Sequence, residues 1–155
     1  MFRADSNQAR ATVLVIEDSP EVQRYLRLLL ELDHYRVETA DNGEAGVQRV
    51  REGCAPGVVL LDMQMPGMDG LQTLQRLREL QPGLKVIMCS AQDDPMIIHQ
   101  AFLLGAQAYL VKPVQHLYLS AALDHCLVRQ SAPQSGTQLE AGVAVFPSAG
   151  FYRPN

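Results

Sequence analysis

Carboxylates, a hydroxyl and a lysine stand at the ends of apolar segments of this sequence, and together they could handle a phosphoryl group. The adjacent acids Glu17 and Asp18 follow one apolar run, and Asp62 ends a second, "VVLLD". Ser90 and Lys112 end two further runs. Carboxylate oxygens are ligands that Mg²⁺ prefers, and a lysine nearby can neutralise phosphoryl oxygens. We therefore expect a Mg²⁺-dependent phosphate site in which Asp62 is the nucleophile.

The apolar runs that end in these residues predict the strands of a parallel sheet. Four of the five runs are almost continuously apolar, which is typical of strands buried on both faces. Segments with helical spacing of apolar residues separate the strands. The predicted strands are 12–16, 36–39, 58–62, 85–90 and 108–112. The first predicted helix begins after Ser19 with Pro20, and the others are 43–52, 71–80, 94–104 and 115–129. This alternation predicts a doubly wound α/β fold with right-handed crossovers.

The predicted fold explains why the chemical residues should meet. The carboxyl ends of parallel strands share one edge of the sheet, where ligands of open α/β sheets bind. The loop that follows Asp62 has the sequence "MQMPGMDG". We expect Pro66 and Gly67 to restrict this loop, Asp69 and Gly70 to start the next helix, and a backbone carbonyl of the loop to face the metal.

Composition excludes several other classes of protein. The net charge of −4 does not favour nucleic acid or an anionic membrane. No stretch approaches the ~18 apolar residues of a membrane span, and the first residues have no apolar signal segment, so we expect a cytoplasmic protein. The three cysteines are isolated in sequence and are expected to be free thiols.

The chain divides into three predicted regions. Residues 1–10 are expected to be a flexible N-terminus, and residues 11–130 carry the whole β-α pattern. Residues 131–155 are rich in Pro, Gly, Ser and Ala with only two charged residues, which is typical of a tail or linker. The run "GVAVF" in this tail gives it enough apolar surface to dock on another surface.

Four motifs together resemble the response regulator receiver domain of two-component signalling. They are Glu17-Asp18, "DMQMPGMDG" at 62–70, Ser90-Ala91 and "AYLVKP" at 108–113. The resemblance covers roughly residues 11–130 and implies a (βα)5 flavodoxin-like fold with a five-stranded parallel sheet in the order 2-1-3-4-5.

The resemblance also implies a role for each matching residue. Asp62 would be the phosphoacceptor, Lys112 would match the family's invariant lysine, and Ser90 would be the switch hydroxyl. Tyr109 would be the aromatic switch, and the Lys112–Pro113 peptide bond would be cis. The implied ligands of Mg²⁺ (or Mn²⁺) are Glu17, Asp18, Asp62 and the backbone carbonyl of Gln64. Gln64 and Gln92 flank the site at positions that tune the lifetime of the acyl phosphate.

The implied function is a phosphorylation-dependent switch rather than an enzyme with its own substrate. A histidine kinase, a phosphotransfer protein or a small acyl phosphate would donate the phosphoryl group. Tyr109 would then turn inward, and the face formed by the fourth helix (94–104), fifth strand (108–112) and fifth helix (115–129) would change its affinity for an output protein. The apolar excess of the fourth and fifth helices also suggests a homodimer. Direct binding to nucleic acid or membrane is not expected.

Two alternatives remain open, and a third is excluded by a residue. The chain could be a constitutive interaction module that is not phosphorylated, or the receiver fragment of a longer regulator. A phosphatase of related topology would carry a second acid two residues after its nucleophile. That position is Gln64, which cannot act as a general acid.

Overall fold

Strands and helices alternate five times along residues 10–128 of the computed structural model, which describes these residues and 144–146. The strands are β1 (Thr12–Ile16), β2 (Arg36–Ala40), β3 (Val58–Asp62), β4 (Val86–Ser90), β5 (Ala108–Val111) and β6 (Ala144–Phe146). The helices are α1 (Pro20–Leu32), α2 (Gly43–Arg51), α3 (Gly70–Leu80), α4 (Pro95–Leu103) and α5 (His116–Val128). The predicted flexible start, apart from residue 10, and most of the predicted tail lie outside the described residues.

All neighbouring strands pair in parallel, in the order β2-β1-β3-β4-β5-β6. The order 2-1-3-4-5 is therefore confirmed. The prediction of five strands omits β6, which lies within the segment predicted to be a tail or linker. A run of three residues is too short for its apolar pattern to distinguish a strand from a linker, and the pairing with β5 determines its conformation.

The core has two layers, one on each face of the sheet. Successive residues of β1 alternate between them, because side chains of a strand point to opposite faces. Val13 and Val15 pack in the layer that contains α1 and α5. Leu14 and Ile16 pack in the layer that contains α2, α3 and α4. Burial on both faces explains why the central strands are continuously apolar.

Two helix starts agree with the sequence prediction and fix the loops at the carboxyl edge. Ser19 is the N-cap of α1, where its side chain accepts a hydrogen bond from the Val22 N–H at 3.4 Å, and Pro20 is the first helical residue. Asp69 is the N-cap of α3 and forms a capping box with Gln72. Among the described helices, none combines the length and apolar character that a bilayer span requires.

Candidate functional site

Three carboxylates meet at the carboxyl edge of the sheet, as the strand pattern predicts. Glu17 and Asp18 directly follow β1, and Asp62 is the last residue of the adjacent β3. One oxygen from each lies within 4.8 Å of the others. Glu17 and Asp62 are only 2% and 5% exposed, whereas Asp18 is exposed. The cluster therefore has a buried floor and one ligand that faces solvent.

Lys112, which directly follows β5, reaches across the edge to this cluster. Its Nζ lies 2.9 Å from Glu17 Oε2 and 3.2 Å from Asp62 Oδ1. The side chain of Lys112 is 22% exposed, so water screens these two ion pairs much less than surface pairs. One ammonium group therefore pairs with two buried carboxylates but offsets only one negative charge, so the cluster of three acids keeps an excess of negative charge.

Burial and charge oppose each other in setting the pKa values of this cluster. Burial raises the pKa of Glu17 above its ordinary value, and the charge of Asp62 adds to this effect. Hydrogen bonds from Lys112 and the Ser19 backbone reduce it. Burial by itself would lower the pKa of Lys112, but the hydrogen bond to Glu17 and the charge of Asp62 raise it above its ordinary value. Lys112 therefore carries its positive charge at neutral pH in this site.

The loop after Asp62 is held close to the strand end by backbone contacts. The Gly70 N–H donates to the Met63 carbonyl at 2.9 Å, which closes the loop, and Gly67 has a positive φ of 80° inside it. The Gln64 N–H donates to Asp62 Oδ1 at 3.2 Å. Gln64 thus begins the loop beside the carboxylate, as predicted, and its role as a carbonyl ligand remains a prediction.

Ser90, Gln92 and Tyr109 form a hydrogen-bonded group next to the carboxylates. Ser90 is the last residue of β4, is fully buried, and accepts a hydrogen bond from the Gln92 N–H at 3.0 Å. Tyr109 is also fully buried, and its hydroxyl donates to the Gln92 carbonyl at 2.8 Å. Burial raises the pKa of this hydroxyl, and a hydrogen bond with the Ser90 side chain opposes the rise. Tyr109 therefore lies inward and is linked to the Ser90 hydroxyl, and the switch roles of both residues remain predictions.

The structure also places residues that the sequence analysis did not select. The Gln23 side chain, on α1, donates to the Glu17 carbonyl at 2.5 Å and to Asp41 Oδ1 at 2.9 Å, so it holds the loop after β1. Asp41 directly follows β2, and the rule that ligands bind at strand ends could have identified it. The peptide bond between Lys112 and Pro113 is cis, as expected.

The donor set of the cluster fits a hard divalent cation. All three side chains offer carboxylate oxygens, and the cluster contains no histidine or cysteine ligand. Mg²⁺ is usually held by a few carboxylates and keeps several waters. The exposed Asp18 leaves the solvent side of the cluster accessible for such waters or for a phosphoryl oxygen. These residues are therefore suited to bind Mg²⁺ or Mn²⁺.

The comparisons with known proteins agree with this geometry. A family model for the response regulator receiver domain matches residues 13–124. A positive alginate biosynthesis regulatory protein from Pseudomonas aeruginosa is 42% identical over 72% of this chain and 45% of its own length. The chemotaxis protein CheY from Treponema pallidum is 37% identical over 70% of this chain and 76% of its own length.

Solved structures show the same fold. A response regulator receiver domain protein from Clostridium thermocellum has a TM-score of 0.73 and 32% identity, with 77% of this chain and 96% of that chain covered. Several curated relatives are longer proteins, and the chain spans about half of their length: 45% of the alginate regulator and 55% of a nitrate/nitrite response regulator from Escherichia coli.

Proposed function

Because the chain belongs to the response regulator receiver family, which acts in two-component signalling, we propose that it is a switch controlled by phosphorylation of Asp62. The observation that carries the proposal is the buried Asp62 carboxylate, held between Lys112 and two further acids at the carboxyl edge of the sheet. A receiver of this kind accepts one phosphoryl group and is not an enzyme that turns over a separate substrate.

In the proposed reaction, a carboxylate oxygen of Asp62 attacks the phosphorus of a phosphohistidine or a small acyl phosphate. A P–O bond to Asp62 forms while the bond from phosphorus to the donor breaks, and the donor leaves with that electron pair. Glu17, Asp18, Asp62 and the Gln64 carbonyl would hold Mg²⁺ or Mn²⁺, which neutralises phosphoryl oxygens when bound.

Two side chains of this site are placed to stabilise the phosphorylated form. Lys112 already lies 3.2 Å from Asp62 Oδ1, so its ammonium can pair with a phosphoryl oxygen without crossing the site. The Ser90 hydroxyl can donate to another phosphoryl oxygen, because it projects from the strand next to β3. Gln64 and Gln92 flank the site, and their amides would set the rate at which water reaches the acyl phosphate.

The signal would travel from Ser90 to Tyr109 and then to the surface. A new charge near −2 on Asp62 favours the state in which Ser90 bonds the phosphoryl group. Tyr109 is coupled to Ser90 and Gln92, so this state also fixes Tyr109 inward, the orientation that it has here.

The output surface is proposed to be the face formed by α4, β5 and α5. Met96 and Leu103 on α4 and Leu117 on α5 are large apolar side chains that are 71%, 72% and 73% exposed. An output protein or a second copy of the chain could cover them. The phosphoryl donor would be a histidine kinase or a phosphotransfer protein, which would dock near Asp62.

The test is Mg²⁺-dependent labelling with a small acyl-phosphate donor, read by the mass of the intact protein. Wild type should gain one phosphoryl group, and Asp62→Asn should gain none. Asp69→Asn is the matched control, because asparagine caps a helix as well as aspartate does and Asp69 lies in the same loop. This control variant should be labelled like wild type.

Labelling that survives in Asp62→Asn would show that another group accepts the phosphoryl group. If wild type is not labelled by the small donor or by a histidine kinase, the chain is a constitutive interaction module. Continuous hydrolysis of a phosphomonoester would instead make it a phosphatase, despite Gln64 at the position of the second acid.

A further inference from the structure

The outer edge of β5 is covered by a strand from the chain's own C-terminal region. β6 pairs with β5 in parallel, with the Cα partners Ala108–Ala144, Tyr109–Val145 and Leu110–Phe146. β5 would otherwise be the last strand on this side of the sheet. An edge strand presents unpaired N–H and C=O groups and readily accepts another strand. The pairing with β6 extends over three residues of β5 and covers the backbone groups that point to this side.

The local sequence is suited to one short strand at this place. Val143 to Phe146 read "VAVF", and valine and phenylalanine are enriched in strands. Pro147 follows directly in the sequence, and because proline has no N–H for a ladder, the sequence does not favour a strand that continues beyond Phe146.

The topology also permits the chain itself to supply this strand. Helix α5 connects β5 to the segment that leads to β6, and its backbone lies close to both strands. Fifteen residues, 129–143, separate α5 from β6. A parallel crossover requires a connection of a dozen or more residues in total. The arrangement is therefore a sixth β unit added by the same β-α-β rule that builds the rest of the sheet.

We propose that residues 144–146 act within the same chain as a cover strand on the β5 edge, and thereby restrict access to the α4-β5-α5 face. A second copy or a partner that uses this edge must first displace β6. A segment attached to the same chain competes at an effective concentration in the millimolar range. Occupation by the chain's own strand is therefore favoured over a strand from another molecule at ordinary protein concentrations.

The position of β6 also connects it to the switch. Its central residue pairs with Tyr109, whose hydroxyl bonds to the Gln92 carbonyl near the phosphoacceptor. The regulatory consequence rests on the proposed function, because it assumes that the α4-β5-α5 face is the output surface. The strand pairing itself does not depend on phosphorylation, so its test contains no phosphoryl donor and can fail independently.

The test is hydrogen–deuterium exchange of the full chain, followed in peptides that contain 108–111. Val145→Pro removes an N–H and introduces a ring at the centre of β6, and Ser148→Pro places the same substitution beyond the strand. We expect exchange in β5 to become about tenfold faster in Val145→Pro, as expected for the loss of one or two hydrogen bonds. It should be unchanged in Ser148→Pro, and peptides from β1 and β3 should keep their protection in both variants.

Equal exchange of β5 in Val145→Pro and wild type would overturn the proposal. Protection of β5 that grows with protein concentration would also overturn it, because a second copy would then supply the strand. A cysteine pair, Ala108→Cys with Ala144→Cys, tests the pairing without a proline. We expect the two cysteines to form a disulfide within one chain, because the Cα atoms of paired strands are close enough for a disulfide. A disulfide that forms only between two chains, or none at all, would refute pairing within one chain.

Discussion

Replacing Lys112 by methionine should destabilise the fold because it leaves two buried carboxylates without their cation. Methionine keeps much of the side chain's length and apolar stem, so the main loss is the ammonium 2.9 Å from Glu17 and 3.2 Å from Asp62. Breaking a fully buried ion pair costs about 3–5 kcal/mol. Lys112 is 22% exposed, so we expect a loss of about 2–4 kcal/mol in the free energy of unfolding, measured by urea denaturation without divalent cations.

The same reasoning predicts how Asp62→Asn changes this cost. Without the Asp62 charge, Lys112→Met leaves only Glu17 uncompensated, so its cost should fall by about 1–2 kcal/mol. Lys85, the chain's other lysine, is the control, because it donates to the backbone carbonyl of Cys126 at the far end of α5. The cost of Lys85→Met should be the same in the wild-type chain and in the Asp62→Asn variant. If Lys112→Met also costs the same in the wild-type chain and in the Asp62→Asn variant, the Lys112 ammonium does not stabilise the Asp62 carboxylate.

Two further substitutions test how the surroundings support the site and the fold. A Cβ on Gly70 would lie 2.6 Å from the Asp62 carbonyl oxygen, so Gly70→Ala should lower the free energy of unfolding in urea by about 1–3 kcal/mol and slow the labelling of Asp62. Gly83→Ala is the control, because a Cβ on Gly83 meets no atom within 4 Å, and it should be close to neutral. Equal stability of the two variants would contradict the close contact at Gly70. Burial alone would raise the pKa of Asp33, but hydrogen bonds from Ser120 and His116 lower it below its ordinary value. The stability that Asp33 contributes is therefore fully present above the ordinary pKa of an aspartate and is lost as the pH falls through the lowered pKa. At pH 7 the free energy of unfolding of wild type should exceed that of Asp33→Asn by about 1 kcal/mol. Thermal melts should show this difference in stability disappearing below about pH 4. A difference that does not change with pH would contradict a stabilising role of the ionised Asp33 carboxylate.

The alternation of strands and helices can be read from the sequence alone, because continuous apolar runs of this length fit strands that are buried between two helical layers. The sequence also determined that Glu17, Asp18, Asp62, Ser90 and Lys112 meet, since the carboxyl ends of parallel strands share one edge. Ser19 and Asp69 mark helix starts through side-chain hydrogen bonds to nearby backbone, which involve only local residues. These features depend on periodicity and short-range chemistry, which a single sequence contains.

Features that depend on contacts between distant segments could not be predicted from the sequence and required the folded structure. The contacts of Lys112 with Glu17 and Asp62 depend on the packing of four neighbouring strands, β1, β3, β4 and β5. The inward position of Tyr109 depends on its bond to the Gln92 carbonyl, which belongs to another loop. The sixth strand exists because a short apolar run finds the unpaired edge of β5. Three residues gain too little from local propensity to form a strand alone, so this suitable tail sequence takes up the strand conformation only through its pairing with β5.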